Sequence, residues 1–242
     1  MHLSICRCFA LSIIITVFIH SPTFAANLAG VMGPNVKPGH QSVQLRVAMS
    51  PSEVSGMDDH WAYLLHYQKA LNKQWQARLV TAFSDKGDFQ YNFSRLEMLW
   101  NLRDKNQGMW STGLRFDIRQ RRGTKPEEVA MLWANEWHLA EQLRVRAVVR
   151  AASDFNGATT GQPKLFTRME ISKPFSGIRY GLELFNNYGR LSNLDMTDQH
   201  KHQLGPSMVG KVAGFKYHVR YLAGIGRGAP EHDFLVRFTK AF

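Results

Sequence analysis

Between Trp110 and Arg119 the chain separates its chemistry by parity: Trp110, Thr112, Leu114, Phe116 and Ile118 fall in one phase, Ser111, Gly113, Arg115, Asp117 and Arg119 in the other. Successive side chains of a β-strand point to opposite faces, so this segment offers one face to an apolar phase and one to water. The same pattern recurs along the chain and closes it, with Phe234, Val236, Phe238 and Phe242 in the last apolar phase. A sequence built this way folds as a two-faced sheet. What remains to decide is whether the apolar face meets a packed core or lipid.

The destination of the chain bears on that choice. Residues 1–25 hold one early positive charge (Arg7), an apolar run from Phe9 to Ile19 and then Ser21-Pro22-Thr23-Phe24-Ala25. They predict a secretory signal peptide cleaved after Ala25, and the run is too short for a membrane span. Both cysteines, Cys6 and Cys8, lie within it, so the exported chain is expected to rely on no disulfide. Residues 26–39, with Gly30, Gly33 and Gly39, read as a periplasmic lead-in or partial plug, and residues 40–242 as one β domain.

A formal net charge of +11 usually points to nucleic acid or an anionic surface. Export argues against nucleic acid as a partner. The arginines, moreover, stand on alternate strand positions instead of in runs.

Counting alternations predicts about twelve strands, with ten to fourteen tolerated. The fourth is irregular: Leu96, Met98 and Trp100 share a phase that Phe89, Tyr91 and Phe93 do not, and a bulge would reconcile the halves. In the tenth, Pro206 and two glycines suit a bend or bulge better than a regular central strand. Connections at 71–73, 104–107, 140–142, 174–177 and 213–214 are short. Those at 51–59, 121–128, 153–162, 187–201 and 225–233 are longer and polar, with 84–88 an exception to the alternation. Short turns on one side and long loops on the other, with an even strand count, are how outer-membrane barrels are built. Trp75, Trp100, Trp110 and Trp137 fall at strand ends beside short turns, as in an aromatic girdle at headgroup level. A soluble sandwich would have no reason to put tryptophans there.

On these residues the chain resembles Gram-negative outer-membrane β-barrel proteins as a class: the signal peptide, the cysteine-free remainder, the alternating segments over 40–242 and a final strand ending in phenylalanine. The resemblance implies an all-β fold, a transmembrane antiparallel up-and-down β-barrel in the outer membrane. It also implies contact with outer-membrane lipid and lipopolysaccharide, and recognition by the barrel-assembly machinery through Phe242.

The polar phase then describes the lumen. It carries fifteen Lys or Arg against Glu97, Asp117, Glu136, Glu170 and Glu183, while charge on the outward phase is confined to Lys173 and Lys240 near strand ends. Two readings follow. Arginines and acids could form ion-pair ladders that fill a sealed structural or recognition barrel. Alternatively, the surplus lines a path for anions, because rings of Arg and Lys select anions. For the second reading the pore-lining, anion-binding residues are Arg115, Arg119, Arg144, Arg146, Arg150 and Arg220, and the solute is a small anion or an acidic sugar. Twelve-stranded anion and acidic-oligosaccharide channels resemble this arrangement.

An outer-rim hydrolase is a third reading. Asp58, Asp59, His60, Asp198, His200, His202, Ser207, Glu231, His232 and Asp233 all lie in or near long loops, with His202–Ser207 and His232–Asp233 the pairs of interest. The sequence contains no G-x-S-x-G or zinc-ligand motif, and no catalytic residue, metal or cofactor is expected.

Overall fold

The computed structural model describes residues 26–52, 59–85, 87–139, 142–156, 161–194, 200–225 and 229–242. The expected signal peptide, with Cys6 and Cys8, and the loop residues Asp58 and Asp198 lie outside them.

Among the described residues the alternating segments form twelve strands. They are β1 (Gln41–Ser50), β2 (His60–Ala70), β3 (Trp75–Asp85), β4 (Phe89–Arg103), β5 (Trp110–Arg121) and β6 (Glu127–His138). They continue with β7 (Arg144–Phe155), β8 (Lys164–Phe175), β9 (Ile178–Arg190), β10 (Lys201–Val212), β11 (Phe215–Ile225) and β12 (His232–Ala241). Each pairs antiparallel with its sequence neighbours, and β1 pairs with β12, so the sheet closes on itself as an up-and-down barrel. Closure leaves no strand edge unpaired. No helix of the described residues is long and apolar enough to cross a membrane.

Parity decides which side chains face out. Leu65 is 50% exposed while Leu64 beside it is 3%, and the same contrast separates Met131 from Leu132. The outward face carries the large exposed apolar side chains, including Leu79, Phe116, Ile118, Trp133 and Ile171. At the short-turn rim Trp75 and Trp100 are register partners with rings stacked at 5.4 Å, and Trp110 pairs with Trp137.

The expected irregularity in β4 is present and has a local cause. The β3–β4 register shifts between Ala82 and Phe83, whose partners are Phe93 and Tyr91, so Asn92 is the extra residue. One side of this bulge turns Tyr91 outward onto Phe83. The other turns Phe93 inward beneath the Arg119 guanidinium, 4.5 Å from its ring.

β10 departs from expectation. It runs twelve residues without a register shift against β9 or β11, despite Pro206. The β10–β11 pairing simply omits Gly205 and Pro206. A Cβ at Gly205 would stand 2.0 Å from the Tyr221 carbonyl oxygen. The glycine there allows a close backbone approach instead of bending the strand.

Residues 26–39 lie inside the barrel without regular secondary structure. Ala26 packs with Ala48, Ala62 and Leu235; Val31 with Leu132, Val148, Phe185 and Leu222; Val36 with Ala70 and Leu99. The segment starts at the long-loop rim, where Asn27 donates its backbone N–H to Asp233 Oδ2 at 2.6 Å and its Nδ2 to Gln203 Oε1 at 2.8 Å. It ends at the short-turn rim, where Asn101 Nδ2 donates to the Pro34 carbonyl at 2.9 Å and Asn35 Nδ2 to Glu136 Oε1 at 2.8 Å.

Candidate functional site

The wall inside the barrel is organised as four ion-pair networks. Glu97 on β4 receives Arg78 at 3.4 Å, Arg115 at 3.0 Å and also Arg95, while Asp117 holds Arg115 Nε at 2.8 Å. Glu128 on β6 receives Arg119 at 3.2 Å, Arg121 at 2.7 Å and Arg150; Asp154 shares Arg121 and takes Lys164 at 2.6 Å. Nearer the short-turn rim, Glu136 holds Arg146 and His138, and Glu170 holds Arg144 and Arg146. On the opposite wall Arg220 reaches Glu183 at 3.5 Å and Asp233 at 3.6 Å and lies over the Phe185 ring.

All six arginines expected to line a pore thus sit on a carboxylate: Arg115, Arg119, Arg144, Arg146, Arg150 and Arg220. The structure brings Arg119 and Arg150 together on Glu128, and Arg144 and Arg146 together on Glu170. Arg220 stands apart from both groups on β11.

Three of the acids were missed by sequence reasoning. Glu128 and Asp154 fall in stretches read as loop, but the strands extend through them; Asp233 belongs to the same class. At a rim both phases carry polar residues, so the alternation that marks a strand fades before the strand ends. The lumen is accordingly better compensated than five acids would allow.

A different set of cations has no acid partner. Among the described residues, Arg46, Arg168 and Arg237 are ion-paired to no carboxylate. Arg46 donates Nε to Gln44 Oε1 at 2.7 Å and Nη1 to the Leu28 carbonyl at 2.8 Å; Arg168 Nη1 donates to the Gly30 carbonyl at 3.2 Å. All three stand in the lumenal phase on β1, β8 and β12, so alternation located them; only the acids' positions show which cations stay uncompensated.

Two cavities meet in the lumen. One of about 490 Å³ sits at the long-loop ends of β5–β9, bounded by Arg121, Glu128, Arg150, Lys164, Phe166 and Arg190. The other, of about 1120 Å³, follows the 26–39 segment toward the short-turn rim. Arg119 and Arg168 border both. A solute passing from one to the other would meet these two guanidiniums.

Neither of the two pairs considered for catalysis assembles, although His200 and His202 lie together with ring centroids 5.9 Å apart. His202 lies in the outward phase of β10, with Nδ1 2.8 Å from Asn186 Oδ1, whereas Ser207 is in the inward phase and buried. His232 contacts the Tyr221 hydroxyl, while Asp233 points inward to Ser50 Oγ and the Asn27 N–H. Among the described residues, no group of three or more His, Cys, Asp or Glu could hold a metal ion.

No protein-family model matches the sequence, and neither does any curated protein. Solved structures do match the fold. The KdgM porin in complex with disordered oligogalacturonate superposes with a TM-score of 0.60 at 9% identity, over 83% of this chain and 99% of that one. The COG4313 outer membrane channel from Pseudomonas putida F1 gives 0.61 at 10% identity, over 89% and 100%. The fold is that of an outer-membrane β-barrel. At such identities the likeness concerns the barrel itself and not what passes through it.

Proposed function

We propose that the protein is an outer-membrane channel for small anions or acidic sugars, exported by the 1–25 signal peptide and oriented with its long loops outward. One observation carries the reading. The cavity at the long-loop end sets Arg119, Arg121, Arg150, Lys164, Arg168 and Arg190 against Glu128 and, beside it, Asp154. Cations outnumber acids there even after every ion pair is counted. Low-dielectric walls concentrate that field, which draws anions in and repels cations. The structural likeness to KdgM, whose complex holds oligogalacturonate, is consistent with an acidic sugar as cargo.

In this reading the exposed apolar belt contacts outer-membrane lipid and lipopolysaccharide, and Phe242 presents the closing strand to the assembly machinery. Arg119 and Arg168, bordering both cavities, form the narrows; Arg115, Arg144, Arg146, Arg150 and Arg220 set the potential along the wall.

A sealed recognition barrel is the second reading. It is favoured by the residence of residues 26–39 in the lumen and by the carboxylate on each of the six arginines.

Single-channel recording of the refolded protein in a planar bilayer across a KCl gradient separates the two. The channel reading expects a reversal potential of anion-selective sign that moves toward zero in Arg119→Ala with Arg168→Ala. Cation selectivity overturns it, and absence of any conductance favours the sealed barrel.

A further inference from the structure

The 26–39 segment touches the wall in an unusual way. Four successive carbonyls, those of Asn27, Leu28, Ala29 and Gly30, each accept a hydrogen bond from a guanidinium. Arg220 serves Asn27 and Ala29, Arg46 serves Leu28, and Arg168 serves Gly30. Arg237 belongs to the same cluster: its Nη1 and that of Arg46 both lie 3.5 Å from where a Cβ on Gly30 would be. Guanidiniums from β1, β8 and β12 thus converge on a single glycine, and none of the three has a carboxylate.

The segment facing them brings no charge of the opposite sign. Residues 26–39 read Ala-Asn-Leu-Ala-Gly-Val-Met-Gly-Pro-Asn-Val-Lys-Pro-Gly, without Asp or Glu. Its neutral carbonyls make hydrogen bonds about half as strong as a carboxylate or phosphate would make to the same guanidiniums. Its shape nevertheless fits closely. A Cβ at Gly33 would be 2.8 Å from Glu136 Oε2, and Pro34 lies against Gly113, where an added Cβ would be 3.1 Å from the proline ring. A row of acceptors is therefore held in register with a row of arginines by a chain tethered at one end, where residue 40 leads into β1.

We propose that residues 26–36 act as an intramolecular surrogate ligand, filling a site for a linear oligoanion formed by Arg46, Arg168, Arg220 and Arg237. The entering oligoanion and the segment exclude each other. Successive anionic groups of the ligand replace successive carbonyls of Asn27 to Gly30, and the displaced segment swings toward the short-turn rim on its tether. The proposal rests on the channel reading for how the ligand enters, but its own content is a binding competition that can be read without conductance.

The test uses the exported chain, residues 26–242, which contains no cysteine of its own, carrying Asn27→Cys and Gln203→Cys. These side chains are in hydrogen-bond contact in the parent through their far ends, so a short bis-thiosulfonate crosslinker locks the segment in place and reduction releases it. Trigalacturonate is titrated by calorimetry into both states in detergent, with maltotriose as the neutral control. The reduced protein should bind trigalacturonate, and locking the competitor should weaken that binding by roughly a hundredfold. Asn27→Cys alone serves as the second variant if the crosslink does not form: saturating trigalacturonate should speed its labelling by a water-soluble maleimide, and Arg168→Gln with Arg46→Gln should abolish that acceleration. Equal affinity in the locked and released states, or unchanged labelling, overturns the surrogate. An anion-selective pore with such a result would leave the channel reading intact and place the ligand elsewhere, whereas ligand-accelerated labelling in a barrel without conductance would uphold the surrogate and remove the channel.

Discussion

Arg46 and Arg237 are register partners on β1 and β12, the two strands whose pairing closes the barrel, and neither is ion-paired to a carboxylate among the described residues. Like charges directly opposite on neighbouring strands destabilise a sheet by roughly 0.2–1 kcal/mol. A position that tolerates this at the closing seam is kept for something other than stability. Arg237→Met should therefore leave thermal stability unchanged or raise it by up to about 1 kcal/mol. The gel shift between folded and heat-denatured barrel measures the midpoint; a clear fall would mean that Arg237 is a structural residue.

Glu97 should behave in the opposite way. It is buried and shared by Arg78, Arg95 and Arg115, so Glu97→Gln leaves three guanidiniums with little but Asp117 between them. Breaking a buried pair by removing one partner costs about 3–5 kcal/mol. Denaturant unfolding of the refolded barrel, followed by tryptophan fluorescence, should show a loss of that order.

His40, in the turn between the lumenal segment and β1, provides a pH test. Partial burial, with Lys37, Arg78 and Lys216 nearby, holds its imidazole below the ordinary value of 6.5. The unfolded chain then takes up a proton before the folded one does, so stability is at its full value above 6.5 and falls as the pH drops from there toward the folded value. Because the new charge appears at the segment's tether, maleimide labelling of Asn27→Cys, divided by its rate in the denatured protein at the same pH to remove the thiol's own titration, should also accelerate over that interval. His40→Gln should remove the dependence in both measurements.

Outward and inward substitutions should separate by environment. Leu114→Arg puts a charge on the outward face and should impair membrane insertion, at about 2–4 kcal/mol near the midplane. Gln68→Arg lines the inner cavity and should insert normally. Val148→Arg, although inward, should fail as well, since Val148 is 1% exposed and packs with Leu132 and Val31. Folded yield in vesicles measures all three.

Val148 also marks where the sequence stops being informative. Parity alone made the barrel legible, because lipid outside and water inside impose opposite chemistries on adjacent residues. It assigned Arg46, Arg115 and Arg220 to the lumen for the same reason. It could not show that part of the lumen is apolar, since the partner that makes Val148 a core residue is Val31, more than a hundred positions away and outside any strand. Nor could it pair arginines with acids: that depends on register across strands, and on Glu128 and Asp154 lying beyond where the alternation fades. Which cations are left over is a property of the closed barrel, visible only once every acid has been placed.

The path of residues 26–39 constrains how the molecule can be assembled. A segment that lies along the bore of a closed cylinder and joins the wall at one mouth is enclosed most simply while the wall is still forming. The seam between β1 and β12 then zips up around a peptide already lying in the bore, and the segment's later exit toward the short-turn mouth needs no reopening of that seam. A bulky domain fused ahead of Ala26 would then either keep that seam from shutting or be left on the far side of the bore, joined to the barrel by a stretched thread.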